Sequence, residues 1–178
     1  WSNFFQNKLL NQLESTQKKH LREEERILKN ADAVLTTAKS LNREFSKVNN
    51  ECFYIPSGFE TTISCKTHKK FRILYAGSMK PIQNPRNLWA ALSDLIETKE
   101  NFKELVEIIL IGSIDNHILI SDEFKKIKKR KIIDPISKSE LDKEIGISEL
   151  LVVCSVNMKS SNDIIPGKFF HYLSSNKN

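Results

Sequence analysis

Short apolar runs that alternate with helical segments of about ten residues constrain the fold of this chain more than any other feature. Phe71–Tyr75 is one such run, Leu105–Ile111 (LVEIILI, closed by Gly112) a second, and Leu150–Cys154 (LLVVC) a third. A near-continuous apolar run is the pattern of a strand buried on both faces. Between them, Arg86–Thr98 reads as a helix with Leu88, Trp89, Leu92, Leu95 and Ile96 on one side, and residues 119–129 as another. Ile132–Ile133 is a short strand ahead of Pro135. Ser137–Glu144 is a helix with Ser137 as N-cap and Glu140 at the capping-box position. Gly167–Ser175 is a last helix. Such alternation implies βαβ units, hence an α/β domain with a Rossmann-like, doubly wound parallel sheet.

Upstream, residues 2 to about 30 contain neither Gly nor Pro and read as one long amphipathic helix. Leu9, Leu10, Leu13, Leu21, Ile27 and Leu28 form its partial apolar stripe, expected to face a core. A helix lying on a membrane is the alternative, which the cluster Glu23, Glu24 and Glu25 disfavours. Ala31–Thr36 then reads as a short buried strand, Lys39–Val48 as a helix, and Cys52–Ile55 as another strand ended by Pro56-Ser57-Gly58. Residues 61–70 are polar without periodicity and read as a linker.

Composition removes several function classes. Cys52, Cys65 and Cys154 are an odd number with no CxxC spacing, and the four histidines are scattered. This argues against a disulfide framework and structural zinc, and fits a reducing compartment. No apolar run approaches the ~20 residues that span a bilayer, and no secretory signal pattern opens the sequence. The net charge is +6, but the only dense basic run, Lys125–Lys131, has no aromatic to stack on a base. A solvated helix end explains that run better than a nucleic-acid site does. The mild positive charge suits a phosphate-bearing ligand or an anionic membrane surface equally well.

In open parallel sheets ligands bind beyond the carboxyl ends of the strands, and three loops there carry candidate chemistry. Gly77-Ser78-Met79-Lys80 follows the first strand, with Asn84 and Arg86 just ahead of the next helix; it is a phosphate-approaching turn or a plain one. Asp134 and Pro135, within Ile133–Ile136, are placed to hold a flat base or simply to connect a strand to a helix. Ser160–Asp163 is polar and leads through Pro166 and Gly167 into a helix carrying Lys168. The Lys168 ammonium and helix amides make an anion site, unless the lysine is an ordinary surface residue.

The segments IPSGFE at 55–60, FRILYAGSM at 71–79, PRNLWAAL at 85–92, ELVEIILIGS at 104–113, SELLVVCSV at 148–156 and PGKFFHYLSSNK at 166–177 occur in an order that resembles the retaining, group 1 GT-B glycosyltransferases. The last is similar to their PGK-(L/I)-(F/Y)-E-Y-L-A-S-G-K segment, and the likeness covers about residues 31 to 177. The resemblance implies two Rossmann-like domains with the donor held mainly by the second. Residues 1–50 would be the last helix-strand-helix of the N-terminal, acceptor-side domain, 51–70 the crossing and linker, and 71–178 a truncated C-terminal nucleotide-sugar-binding domain. It implies transfer of a sugar, hexosyl in kind, from a nucleotide-diphosphate sugar to a glycan or lipid-linked acceptor, as in polysaccharide biosynthesis. It further implies no cofactor or metal, no nucleic-acid partner, and a cytoplasmic location with peripheral contact to the inner membrane face. By position, Gly77 and Ser78 match the loop near the donor diphosphate and Lys168 the lysine that steadies it; Met79, Arg86, Asp134 and Pro135 join the expected donor-binding set from the loops described above. Asp163 and His171 fall at the two ends of the Glu-x7-Glu pattern, meeting the donor sugar and the ribose; Asp163 and Lys168 are the expected catalytic pair.

The sequence departs from that pattern at His171, where a neutral imidazole cannot accept two ribose hydroxyls as a carboxylate does, and at Asn176, in place of glycine. The chain also opens on Trp1 rather than Met and stops at Asn178, so a fragment that does not turn over substrate alone is expected. Two alternatives follow: a degenerate nucleotide-sugar-binding module without activity, and a nucleotide-sugar epimerase on the same fold.

Overall fold

The computed structural model describes residues 14–59, 62–155, 165–175 and 177, which divide into two units. One unit runs to Ser57 and also takes in Ile165; the other comprises the residues from Gly58 onward and those from Pro166.

In the first unit, α1 (Glu14–Asn30) is followed by β1 (Val34–Thr36), α2 (Lys39–Phe45) and β2 (Cys52–Tyr54). The two strands pair in parallel, Val34 opposite Cys52 and Thr36 opposite Tyr54. The Asn49 amide fixes the turn out of α1 by donating to the carbonyls of both Leu28 and Ala31 at 2.8 Å. The elements fall where sequence places them, but their burial does not. Leu28 is buried in α1, whereas Leu21 and Ile27 are exposed, as are Leu35 of β1 and Phe53 of β2. Among the described residues the two strands, three residues each, form a sheet of two strands only. Residues 2–13 of the expected long helix lie outside the described residues.

The second unit is built on four parallel strands in the order β5-β4-β3-β6: β3 (Phe71–Ala76), β4 (Val106–Ile111), β5 (Arg130–Ile133) and β6 (Leu150–Leu151). Strands β3 and β4 pair over their full length, Phe71 opposite Val106 through Ala76 opposite Ile111. Because side chains alternate across a sheet, the continuous apolar runs feed two cores. Ile73, Tyr75, Val106, Ile108 and Leu110 pack on one face with Trp89, Leu92 and Ile96 of α3 (Arg86–Thr98), and with Phe124 and Ile127. Leu74, Ala76, Ile109 and Ile111 pack on the other with Ile145 of α7 (Lys138–Gly146), Tyr172 of α8 (Gly167–Leu173) and Ile63. Helices therefore cover both faces, and the domain is Rossmann-like, as the alternation predicts.

Local departures have physical causes. Leu95 is 40% exposed, on the outer side of the α3 stripe formed by Trp89, Leu92 and Ile96. A short helix not evident from the sequence, α4 (Glu100–Leu105), takes Leu105 out of the strand. The expected helix over 119–129 is two pieces, α5 (Asn116–Leu119) and α6 (Asp122–Lys125). Past α6 the Arg130 guanidinium donates to the carbonyls of Lys125 (3.2 Å) and Ile127, satisfying acceptors that a continuing helix would have used. Ile127, inside the basic run, is fully buried. The run is thus a solvated lysine face on a core anchor. The Ser137–Glu140 capping box forms as expected, the Ser137 N–H donating to Glu140 Oε2 at 3.0 Å.

Within the stretch read as a linker, Ile63 is buried and its N–H donates to Ser174 O at 2.8 Å, while the Lys66 N–H donates to Gly146 O at 2.9 Å. These residues are fastened to the second unit by main-chain hydrogen bonds.

Candidate functional site

Connections from β3 to β4 and from β4 to β5 step outward one way, and β6 then returns to the other flank of β3. The reversal between β3 and β6 is the switch point at which loops diverge and leave a crevice beyond the carboxyl ends. Gly77 and Ser78 follow β3 there, and Cys154 lies beyond β6.

Two glycines shape that edge. Gly77 (φ 115°) and Gly112 (φ 126°) both occupy the left-handed region. A Cβ on Gly112 would lie 2.5 Å from the carbonyl oxygen of Gly77, so the two turns touch main chain to main chain. Pairing then continues past the strands. The Gly77 N–H donates to Ile111 O (2.8 Å), the Met79 N–H to Ser113 O (3.0 Å), the Asp115 N–H to Met79 O (3.0 Å) and the Gly112 N–H to Ile133 O (2.9 Å). The Gly77–Met79 loop is therefore held by main-chain hydrogen bonds to the neighbouring turn.

Helix α8 is registered against the same edge by Tyr172. Ladder pairing between β3 and β6 ends with the Val152 N–H donating to Leu74 O at 2.8 Å. The next free donor of β3, the Ala76 N–H, goes to the phenol oxygen of Tyr172 at 2.8 Å. The phenol fills the place that another β6 carbonyl would take. Burial pushes its pKa up to about 12, so it remains a neutral phenol.

One turn earlier on α8, Lys168 reaches back over the Gly77 turn. Its Nζ donates to the Tyr75 hydroxyl at 2.7 Å and sits 4.0 Å from the centroid of the Tyr75 ring. The absent Cβ of Gly77 leaves the room: a Cβ there would be 3.0 Å from the ammonium. Tyr75 in turn donates its hydroxyl to Ser78 O at 2.7 Å. Burial lowers the lysine pKa, opposed by the nearby Cys154, whose own thiol burial pushes up. The arrangement is a half-buried cation poised over a glycine turn. Such a group gains by meeting an anion, because the anion offsets the desolvation that lowers its pKa.

Of the residues singled out from sequence, Gly77, Ser78 and Lys168 come together here. Met79 does not present its side chain: it is fully buried in the core and both its main-chain groups are used. Asn84 is likewise committed, its Oδ1 accepting the Trp89 indole N–H at 2.7 Å. Arg86 is exposed at the first residue of α3. Asp134 and Pro135 are exposed beyond β5, two strands from Gly77 on the same edge. His171 is engaged with Asp142 of α7, Nε2 to Oδ1 at 2.6 Å. Asp163 lies outside the described residues. Tyr75 is the residue that sequence reading passes over, since an aromatic in a buried strand reads as core; the signal is that a buried hydroxyl needs a partner. A separate open cavity of about 410 Å³ lies between residues 62–66 and α7, lined by Ser64, Lys66, Asp142 and Lys143 among others. Among the described residues, no three His, Cys, Asp or Glu side chains converge to hold a metal ion, and no helix is long and apolar enough to cross a membrane.

No family model matches this chain, and no curated protein does. Among solved structures it is similar to TarM, with a TM-score of 0.59 and 14% identity over 88% of this chain and 31% of TarM. A mutant of Staphylococcus aureus TarM in complex with fondaparinux, alpha-GlcNAc-glycerol and UDP aligns at a TM-score of 0.49, with 13% identity over 73% of this chain and 27% of that one. WaaG, a glycosyltransferase involved in lipopolysaccharide biosynthesis, aligns at 0.47, with 9% identity over 71% of this chain and 38% of that one. The chain spans about a third of TarM. At that identity the TarM likeness shows the fold alone, an α/β arrangement with a Rossmann-like parallel sheet.

Proposed function

We propose that this chain is the donor-binding part of a retaining glycosyltransferase that takes a nucleotide-diphosphate sugar. The observation that carries this reading is the Lys168 ammonium held over the Gly77 turn at the switch point of a parallel sheet. A diphosphate seated on Gly77 and Ser78 would lie against that charge. As the glycosidic bond to the donor breaks, negative charge grows on the leaving diphosphate, and a preorganised cation in a half-buried site offsets it without reorganisation. The reading keeps the domain division at residues 50 and 70, the glycan or lipid-linked acceptor, metal independence, and a cytoplasmic enzyme contacting the membrane peripherally. It keeps Asp163 for the donor sugar, with Asp134 and Pro135 for the base.

A second reading, a nucleotide-sugar-binding module without turnover, is favoured by one observation. His171, at the position from which the family would address the ribose, is drawn to Asp142.

Titration calorimetry separates a diphosphate site from a general nucleotide site. UDP and GDP are expected to bind at least about tenfold more tightly than UMP and GMP, since the second phosphate adds a charge-assisted contact. Equal affinity for mono- and diphosphates would remove Lys168 and Gly77 from the donor assignment. Turnover by the protein with both domains separates the two readings once binding is established.

A further inference from the structure

We propose that Tyr75 is a positioning residue of this site: its phenol oxygen holds the Lys168 ammonium at the Gly77 turn and ties it to the Ser78 carbonyl. This rests on the donor-site reading and adds the device by which the lysine is set in place.

Three contacts carry the inference. Lys168 Nζ donates to Tyr75 at 2.7 Å, Tyr75 donates onward to Ser78 O at 2.7 Å, and the ring face lies 4.0 Å from the ammonium. A phenol can do both only while neutral, accepting with a lone pair and donating its proton. Burial raises the Tyr75 pKa and keeps it so. Lysine has a long stem whose rotamer freedom is costly to lose at the moment of binding. A hydrogen bond and a ring face together remove that freedom beforehand, and the carbonyl end of the relay fixes the position relative to the loop that would carry the diphosphate. Packing alone does not require the hydroxyl. The Tyr75 ring is 1% exposed in the core with Trp89 and Leu110, and phenylalanine would fill that volume. Among the described residues, Cys154 beyond β6 and Tyr172 of α8 are the other titratable groups around the pair.

The test uses the 178-residue chain, UDP as probe, and the variants Tyr75→Phe, Lys168→Met and their double. Tyr75→Phe is expected to weaken UDP binding about 3- to 10-fold, the worth of one hydrogen bond. In the Lys168→Met background it is expected to cost nothing further, because the two residues act as one unit. Followed through its Cε resonance, Lys168 is expected to lose its proton at lower pH in Tyr75→Phe, since a partner of the charged form is gone. An unchanged thermal midpoint checks that the variant folds. Wild-type UDP affinity in Tyr75→Phe, or the same loss with and without the lysine, together with an unmoved Lys168 titration, would overturn the role given to Tyr75. If instead wild type and Lys168→Met bind UDP equally, the donor-site reading falls, while the Lys168 titration still decides whether Tyr75 holds the lysine.

Discussion

Lys168→Met weakens UDP binding by about 10- to 100-fold, the equivalent of about 1.5–3 kcal/mol for a hydrogen bond to a charged group. The methionine keeps most of the apolar stem and removes the charge, so the loss reports the ammonium rather than packing. Stability moves the other way or not at all. Burial lowers the folded-state pKa of Lys168 below its unfolded value, so the charged form is penalised at every pH below that lowered pKa. The penalty is relieved only as pH rises toward the unfolded value, hence an uncharged replacement at neutral pH keeps or raises the thermal midpoint. Binding has the opposite pH dependence. UDP affinity holds while Lys168 is protonated and falls as pH rises through its lowered pKa, earlier than for an ordinary lysine at ~10.4. The methionine variant lacks that limb, and calorimetry at several pH values resolves the difference. A variant that loses stability and affinity in parallel would mark Lys168 as structural.

Gly112→Ala acts on the frame instead. Its φ of 126° excludes ordinary side chains, and the new Cβ would lie 2.5 Å from Gly77 O and 2.9 Å from the Gly77 carbonyl carbon. Both neighbours are main chain, locked by the Gly77–Ile111 and Met79–Ser113 hydrogen bonds, so neither yields cheaply. The expected cost is about 3 kcal/mol or more, read as a lowered urea midpoint at unchanged slope. UDP binding should be lost with it, because the turn that must move is the one carrying Gly77 and Ser78. Gly58→Ala, where nothing lies within 4 Å of the new Cβ, serves as the control and should cost little. A Gly112→Ala protein as stable as the control would contradict the close approach of the two turns.

The sheet was readable in the sequence because strands buried on both faces leave an unmistakable apolar run, and Phe71–Ala76 and Val106–Ile111 are such strands. The Ser137 capping box was readable because it is a local hydrogen-bond pattern with fixed spacing. Burial was less so. Leu35 and Phe53 carry strand-like apolarity, yet whether such residues are covered depends on neighbours that periodicity does not name. At the site, Gly77 and Lys168 stood out by type and position, whereas Tyr75 did not. Its hydroxyl matters only because α8, 93 residues later in sequence, brings the lysine onto it. Met79 shows the converse: a residue in a candidate loop whose side chain the fold spends on the core. In the sequence His171 stands out for what it lacks, a carboxylate; its engagement with Asp142 is a tertiary contact across 29 residues.

The position of bound UDP tests the central claim most directly. Amide-resolved NMR of the chain titrated with UDP is expected to show saturable shifts concentrated at Gly77, Ser78 and the first turn of α8 around Lys168, with none of that pattern in Lys168→Met. Shifts clustered instead around residues 62–66 and Asp142, at the separate cavity, or retained in full without the lysine, would contradict it.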